Sequence, residues 1–433
     1  MRRFAETIIA PFTGPGPAAV TGFRISGPDA WRIARHLAGG RPASPEPMRA
    51  YVQRLVTGED GVILFFAAGA SYTGDETAEI FAHGGPVTAK VLLETAVLAG
   101  AREALAGEFT ERAFLNGRLM LSQAEAVADL IHAETTDEFA LALGNHRGAL
   151  QAAVAALREV WLGILARVEA STDFSEEIGE FDHAAAHAEL AMARPRLDQL
   201  LEDAARSELV RRGFRIAILG RPNVGKSSLL NALLGRSRAI VTDIAGTTRD
   251  TLEESIDLRG RRAVLVDTAG LRDATDVVER IGIDRSHAAA ADADLVILLF
   301  DLAAGWTDDD QRLARRYRDA LIVGNKYDLA PHREVALGIS AQTGAGIEAL
   351  IDAISRRMDG IQPAVMVNPR HAGWLRRFSA QHDELAAALH AEVPSDLLAT
   401  LLREGIVTLG QITGETASPD MLDEIFRRFC IGK

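Results

Sequence analysis

Residues 220–228 read Gly-Arg-Pro-Asn-Val-Gly-Lys-Ser-Ser, with the apolar run Phe214-Arg-Ile-Ala-Ile-Leu219 directly before them and the helical pattern Leu229-Leu-Asn-Ala-Leu-Leu234 directly after. Strand, glycine-rich loop and helix in that order make a phosphate-binding P-loop. Gly220 and Gly225 let the backbone curl until its N–H groups point at phosphate oxygens. Lys226 brings a point charge to the β and γ groups, and the Ser227 hydroxyl suits Mg²⁺. Asn223, Val224 and Ser228 complete the loop. A chain with this stretch binds a nucleoside triphosphate.

The flanking sequence says which one. Apolar runs at 214–219, 263–267, 295–301, 321–325 and 335–339 alternate with helical patterns, the order of a doubly wound nucleotide-binding domain. Asp267-Thr268-Ala269-Gly270 ends one run, placing a carboxylate near the Mg²⁺ shell and the Gly270 amide near a γ-phosphate. Asn325-Lys326-Tyr-Asp328 ends another; the Asp328 carboxylate accepts two N–H bonds from guanine that adenine cannot donate, which makes the wrong base costly. Ser340-Ala341 suits the loop over the base. Together these motifs specify GTP.

Between the P-loop and Asp267 runs Thr242-Asp243-Ile244-Ala245-Gly246-Thr247-Thr248-Arg-Asp250, polar and glycine-containing, where a switch loop closes over Mg²⁺ and γ-phosphate. Thr248 is the first choice for sensing Mg²⁺, Thr247 the second. Leu271 follows Gly270 where Ras-like GTPases place a water-orienting Gln, so another group positions the water. Asp273, Asp276, Glu279 and Arg280 are available, and Glu279 can reach back through a bridging water. For any single one of them a solvated carboxylate is the plainer chemical reading. No arginine finger is evident, with Arg249 and Arg272 left as alternatives.

A chain of 433 residues exceeds one core, and 48% hydrophobic with 25% charged residues is the profile of a globular, multidomain α/β protein. No apolar run reaches a bilayer span and the start lacks a signal-peptide pattern, so the expectation is a cytoplasmic protein with no membrane. The single cysteine, Cys430, excludes an intramolecular disulfide and a thiolate-rich zinc site. A net charge of −13 argues against a surface made throughout for nucleic acid, though Arg211-Arg212, Arg315-Arg316 and Arg376-Arg377 are local basic pairs. Residues 1–118 read as an α+β domain, with β-type runs at 7–10, 20–25 and 62–66. Residues 119–212 read as helical, with long paired helices over 122–172. The nucleotide domain covers 213–358 and helical pattern returns over 359–433. An α/β domain flanked by helical sequence suggests insertion into one all-α helical domain.

Further motifs decide among GTPases. Phe429-Cys-Ile-Gly-Lys433, Gly246-Thr-Thr-Arg-Asp250, Gly107-Glu-Phe-Thr-Glu-Arg-Ala-Phe-Leu-Asn116, Gln123-Ala-Glu-Ala-Val-Ala-Asp-Leu-Ile131 and His83-Gly-Gly-Pro86 closely resemble the MnmE/TrmE family along the whole chain. The resemblance implies an N-terminal α+β folate-binding and dimerisation domain, a helical domain built from both sides of the chain, and an inserted P-loop (Ras-like) G domain. It implies a homodimer whose G domains meet across GTP, with K⁺ in place of an arginine finger. The positions matching the K⁺ ligands are Asn223, Thr242, Ile244 and Thr247; Glu279 matches the catalytic acid. Arg24, Glu79, Arg118 and Lys433 match the site for 5-formyl- or methylene-tetrahydrofolate, and Cys430 is expected beside it. Departures from the family pattern are Pro17 for Arg, Ala106 for Pro, Met120 for an acidic residue and Arg118 for Lys, the last keeping charge but not geometry. The implied reaction adds a carboxymethylaminomethyl or aminomethyl group at C5 of the wobble uridine (U34) of tRNA, jointly with the MnmG/GidA flavoprotein in a heterotetramer. The alternative is a ribosome-assembly or RNA-binding GTPase switch. That reading wants a KH-type Gly-x-x-Gly loop with basic flanks, which does not follow the G domain.

Overall fold

The computed structural model describes residues 6–14, 16–174, 177, 179–236, 238–239, 254–266, 290–331 and 335–433. The chain forms two compact units, Met1–Ala128 with Asn145–Arg194 and Arg376–Lys433, and Asp129–Gly144 with Pro195–Leu375.

In the first unit β1 (Ile8–Pro11), β2 (Ala18–Ser26), β3 (Ala50–Arg54), β4 (Asp60–Phe66), β5 (Thr77–Gly84) and β6 (Arg102–Glu103) form one sheet in the order β3-β4-β5-β2-β1-β6. β4 alternates buried and part-exposed residues along Gly61 to Phe66, the period-two pattern of a sheet with one face on a core. That core gathers Phe23, Ile25, Ile63, Phe65 and Ile80 with Ile33 and Leu37 of α1 (Ala30–Leu37) and Leu92 of α2 (Pro86–Leu98). The runs expected at 7–10, 20–25 and 62–66 become β1, β2 and β4; β3 and β5 add to them.

Helices α3 (Glu108–Leu115), α4 (Leu121–His132), α5 (Thr136–His146) and α6 (Ala149–Asp173) follow. The long paired helices expected over 122–172 are thus two short helices and one of 25 residues, with Gly148, at a left-handed φ of +94° that an α-helix does not accommodate, separating α5 from α6. No continuous apolar run reaches a bilayer span, yet α6 is long and apolar enough to cross a membrane by length and composition, with a mean hydropathy of 1.5 over 18 residues. Its apolar stripe is a core face: Leu150, Val154, Leu157, Trp161, Ile164 and Val168 are all fully buried. Trp161 lies tilted against Phe378 at 4.8 Å between ring centroids and fills the space where a side chain on Gly405 would stand.

The helix α7 (His183–Arg212) leads to the second sheet. There β7 (Phe214–Leu219), β8 (Arg238–Ala239), β9 (Glu254–Leu258), β10 (Arg261–Val266), β11 (Leu295–Asp301) and β12 (Leu321–Asn325) take the order β12-β11-β7-β10-β9-β8. β10, β7, β11 and β12 run parallel, and β9 turns back antiparallel on β10 with Glu254 opposite Leu265. Helices α8 (Lys226–Arg236), α9 (Asp308–Arg316) and α10 (Ile347–Arg357) complete the wound domain. The strand expected at 335–339 is instead a single bridge, Gly324 to Gly338. Only the rung from Gly324 N to Leu337 O and from Ile339 N to Gly324 O forms before Tyr327 N takes the Ile339 carbonyl and turns the chain away.

The β9–β10 turn is seated on the start of α5 and the residues just before it. Gly260 (φ +87°) presses on Thr136, its carbonyl accepts from Asp137 N at 3.1 Å, and Arg262 Nη1 donates to Glu134 at 2.8 Å. The remaining helices are α11 (Pro369–His390), α12 (Ser395–Thr413) and α13 (Pro419–Phe426).

Candidate functional site: a nucleotide loop and a ring-lined arginine

The loop after β7 has the shape its residues dictate. Gly220 (φ +152°) lies so close to the Leu299 carbonyl that no Cβ fits, and Gly225 (φ +97°) leaves the same room for Asn325. Asn223 is left-handed at φ +64°, a conformation Asn accepts more readily than most residues. Helix α8 starts at Lys226, so the N–H groups of its first turn point toward the loop, the geometry that receives phosphate. Lys226 Nζ donates to the Gly220 and Arg221 carbonyls at 2.9 Å each. Val224 is buried, Ser227 half-buried, and Asn223 and Ser228 exposed.

Asn325 joins this loop to the base-side loop. Its Nδ2 donates to the Val224 carbonyl at 2.8 Å, and its Oδ1 accepts from Ala341 N at 3.0 Å. Buried Ser340 shapes that second loop, its Oγ accepting from Thr343 N at 3.2 Å. Lys326, left-handed at φ +63°, pairs with Asp301 at 2.7 Å. Burial pushes the Asp301 carboxyl up, but the Lys326 bond, the Ala304 and Ala303 amides and the lysine's charge together hold it below its ordinary value. Asp328 is exposed, open to an incoming base edge. Thr242, Asp243, Ile244, Ala245, Gly246, Thr247, Thr248, Asp267, Thr268, Ala269, Gly270 and Glu279 lie outside the described residues. Ser227 offers a hard hydroxyl oxygen and Asn223 a hard amide oxygen, the donor types that Mg²⁺ and K⁺ take.

The second constellation sits in the first unit. Arg24 of β2 stands opposite Glu79 of β5, and its Nε and Nη2 both reach Glu79 Oε1, at 3.0 and 2.9 Å. The guanidinium lies over three rings, Phe12 at 5.2 Å, Tyr72 at 4.8 Å and Phe109 at 5.6 Å. Such a cation among aromatic faces is a platform for a flat heterocycle. Tyr72 donates to or accepts from Thr110 Oγ1 at 2.9 Å, and burial raises its phenol above the usual value despite that bond and the Arg24 charge.

The end of the sequence folds onto this place. Phe109 N donates to the Lys433 carbonyl at 3.2 Å, Gly107 N to that of Cys430 at 3.4 Å, and Gly432 (φ +94°) packs against the Pro11 carbonyl. Cys430 is exposed. Arg118 is exposed as well, with Nη1 donating to the Gly69 carbonyl at 3.0 Å on the loop that carries Tyr72. So Arg24, Glu79 and the backbone of Lys433 converge about Phe109, while Arg118 braces a loop. The three rings escape sequence reasoning, since Phe12, Tyr72 and Phe109 are spread over nearly a hundred residues; only Phe109 lies inside a motif.

Next to Phe109 in sequence, Glu108 is almost fully buried, accepting from Arg102 at 2.6 and 3.1 Å and from Leu105 N at 2.8 Å. Burial drives its carboxyl up, but Arg102, the Leu105 amide and the charge of Arg112 outweigh it and hold the group below its usual value. Arg112, wholly buried, joins Glu108 at 3.3 Å and Asp75 at 3.4 Å.

Residues 121–430 match the family model described as the MnmE helical domain, and residues 7–118 that described as the GTP-binding protein TrmE N-terminus. The protein named tRNA modification GTPase MnmE from Chloroflexus aurantiacus is 43% identical over 454 residues, covering 99% of this chain and 100% of that protein. Its namesake from Synechococcus sp. (strain RCC307) is 41% identical over 445 residues, with 98% and 97% covered. Among solved structures, that of Era bound to MgGDPNP and a 16S ribosomal RNA segment is 27% identical over 33% of this chain and 56% of that one, with a TM-score of 0.26. Matched by the two family models from residue 7 to residue 430 and by such relatives along nearly its entire length, the chain belongs to the MnmE/TrmE family of tRNA modification GTPases.

Proposed function

We propose that this protein hydrolyses GTP as the switch component of tRNA wobble-uridine modification. The observation that carries the reading is the Asn325 side chain, which ties the P-loop carbonyl of Val224 to the amide of Ala341 and so sets phosphate and base recognition in one frame. Lys226, held by the Gly220 and Arg221 carbonyls, brings its charge to the β and γ oxygens, and Asp328 selects guanine. Ser227 and Thr248 would hold Mg²⁺, which neutralises phosphate charge. Asn223, Thr242, Ile244 and Thr247 would hold K⁺, which takes the place of an arginine finger. Asp267 would serve the Mg²⁺ shell, Gly270 the γ-phosphate, and Glu279 would orient the attacking water in place of the Gln that Leu271 replaces.

In the first unit Arg24, Glu79, Phe12, Tyr72 and Phe109 suit a reduced pterin. Glu79 accepts the amidine-like donors of its ring, the aromatic faces stack on it, and Arg24, Arg118 or Lys433 pairs with a glutamate tail. Tetrahydrofolate bound there supplies a one-carbon unit. We take the working assembly to be a homodimer that joins the MnmG/GidA flavoprotein as a heterotetramer, acting on tRNA in the cytoplasm. Relatives matched from end to end carry the name of a tRNA modification GTPase, which favours this reading over a ribosome-assembly switch. Mass spectrometry of the wobble uridine in tRNA from cells lacking the protein tests it. Loss of the C5 modification is expected, and modification at wild-type levels overturns the function.

A further inference from the structure

The P-loop is held from a direction that none of its nucleotide motifs explains. Asp310, in the first turn of α9, is wholly buried, and its Oδ1 accepts from Arg221 Nε at 3.0 Å. Its Oδ2 accepts from Thr307 N at 3.0 Å and Thr307 Oγ1 at 2.8 Å, so the same carboxylate closes the capping box that starts α9. A buried carboxylate is tolerated when it is paired and hydrogen-bonded, and its place in a helix's first turn adds the favourable end of the dipole.

Arg221 lies between Gly220 and Pro222, and its peptide plane is constrained from three sides. Gly220 abuts the Leu299 carbonyl of β11, Pro222 restricts the backbone before it, and the side chain is pinned to α9, the helix that follows β11. The atom so oriented is the Arg221 carbonyl oxygen, one of two that hold Lys226 Nζ. The path runs from the Asp310 carboxylate through the Arg221 side chain and carbonyl to the lysine that meets the β and γ phosphates.

We propose that Asp310 is a positioning residue for Lys226, acting through Arg221; the inference rests on reading 220–228 as a GTP phosphate loop. Asp310→Asn keeps an acceptor for Thr307 and removes the charge that fixes Arg221. Labelled GTP and GDP are titrated against the full chain, with melting temperature recorded. In the Asn variant GTP affinity falls about tenfold, the size of one charge-assisted hydrogen bond, and GDP affinity falls less, because Lys226 also serves the γ-phosphate. Asp309→Asn, one residue away and solvated, leaves both affinities as in wild type.

Should Asp310→Asn fold poorly, Arg221→Met/Asp310→Asn removes both partners of the ion pair together, which such sites tolerate better than removal of one, and it shows the same preferential loss for GTP. Wild-type affinity for GTP in either variant, or equal losses for GTP and GDP, overturns the proposal. A wild-type chain that binds neither nucleotide overturns the phosphate-loop reading on which it rests.

Discussion

The side-chain amide of Asn325 stands where a Cβ on Gly225 would project, so the P-loop glycine and the base-side asparagine occupy one another's space. Gly225→Ala is therefore opposed twice, by a φ of +97° and by displacement of Asn325 from Val224 and Ala341. Binding of labelled GTP should be abolished, and a destabilisation of about 2–4 kcal/mol should appear in urea unfolding. Alanine tolerated with normal binding would refute the interlock.

Hydrolysis should depend on the monovalent cation. With Asn223, Thr242, Ile244 and Thr247 as ligands, GTP turnover in K⁺ should exceed that in Na⁺ by about tenfold or more, since the ion replaces a group worth several orders of magnitude in rate. Equal steady-state rates in the two salts remove the assignment.

Glu279→Ala should separate binding from chemistry. GTP affinity stays close to wild type while kcat drops about 10²–10³-fold, the range for losing a group that orients and deprotonates water. Weakened affinity with normal single-turnover rate would count against the role.

The ring-lined arginine should answer to a different ligand. Glu79→Gln and Phe109→Ala are each expected to weaken 5-formyltetrahydrofolate binding by about tenfold to a hundredfold, leaving GTP turnover unchanged. Lys433→Ala should weaken the folate without touching GTP. Calorimetry with the folate alone checks all three.

Acid should loosen the first unit through Glu108. Its folded carboxyl lies below the ordinary glutamate value of 4.5, so the stabilisation is complete above that pH and is lost as pH falls through the lower, folded value. Glu108→Gln leaves Arg102 and the wholly buried Arg112 without that charge and should cost about 3 kcal/mol at neutral pH. The variant's stability should then vary less with pH below that value than the wild type's. Identical acid unfolding profiles would show that Glu108 contributes nothing there.

The nucleotide loop is legible because glycine spacing, the lysine and the flanking periodicities are local signals. β11 and β12 match their expected bounds because continuous apolar runs bury both faces of a parallel sheet. β5 is harder to read: its Glu79 faces Arg24 instead of solvent, so polar alternation does not mark its exposed face. β9, Glu-Ser-Ile-Asp-Leu, carries only two apolar residues, each buried in a core that gathers side chains from Phe214 to Met358. Arg24 and Glu79 gain meaning only from the resemblance, and the rings around Arg24 and the Arg221–Asp310 pair only from the fold, since nothing local joins residues 89 positions apart.

The pairing of Glu254 with Leu265 closes the open end of the β9–β10 ladder. A slip of one residue there would turn Ile256, Leu258, Ala263 and Leu265 out of the core together. The hairpin is thereby kept in register by side-chain burial toward its open end and clamped at its turn, where Gly260 is seated on Thr136.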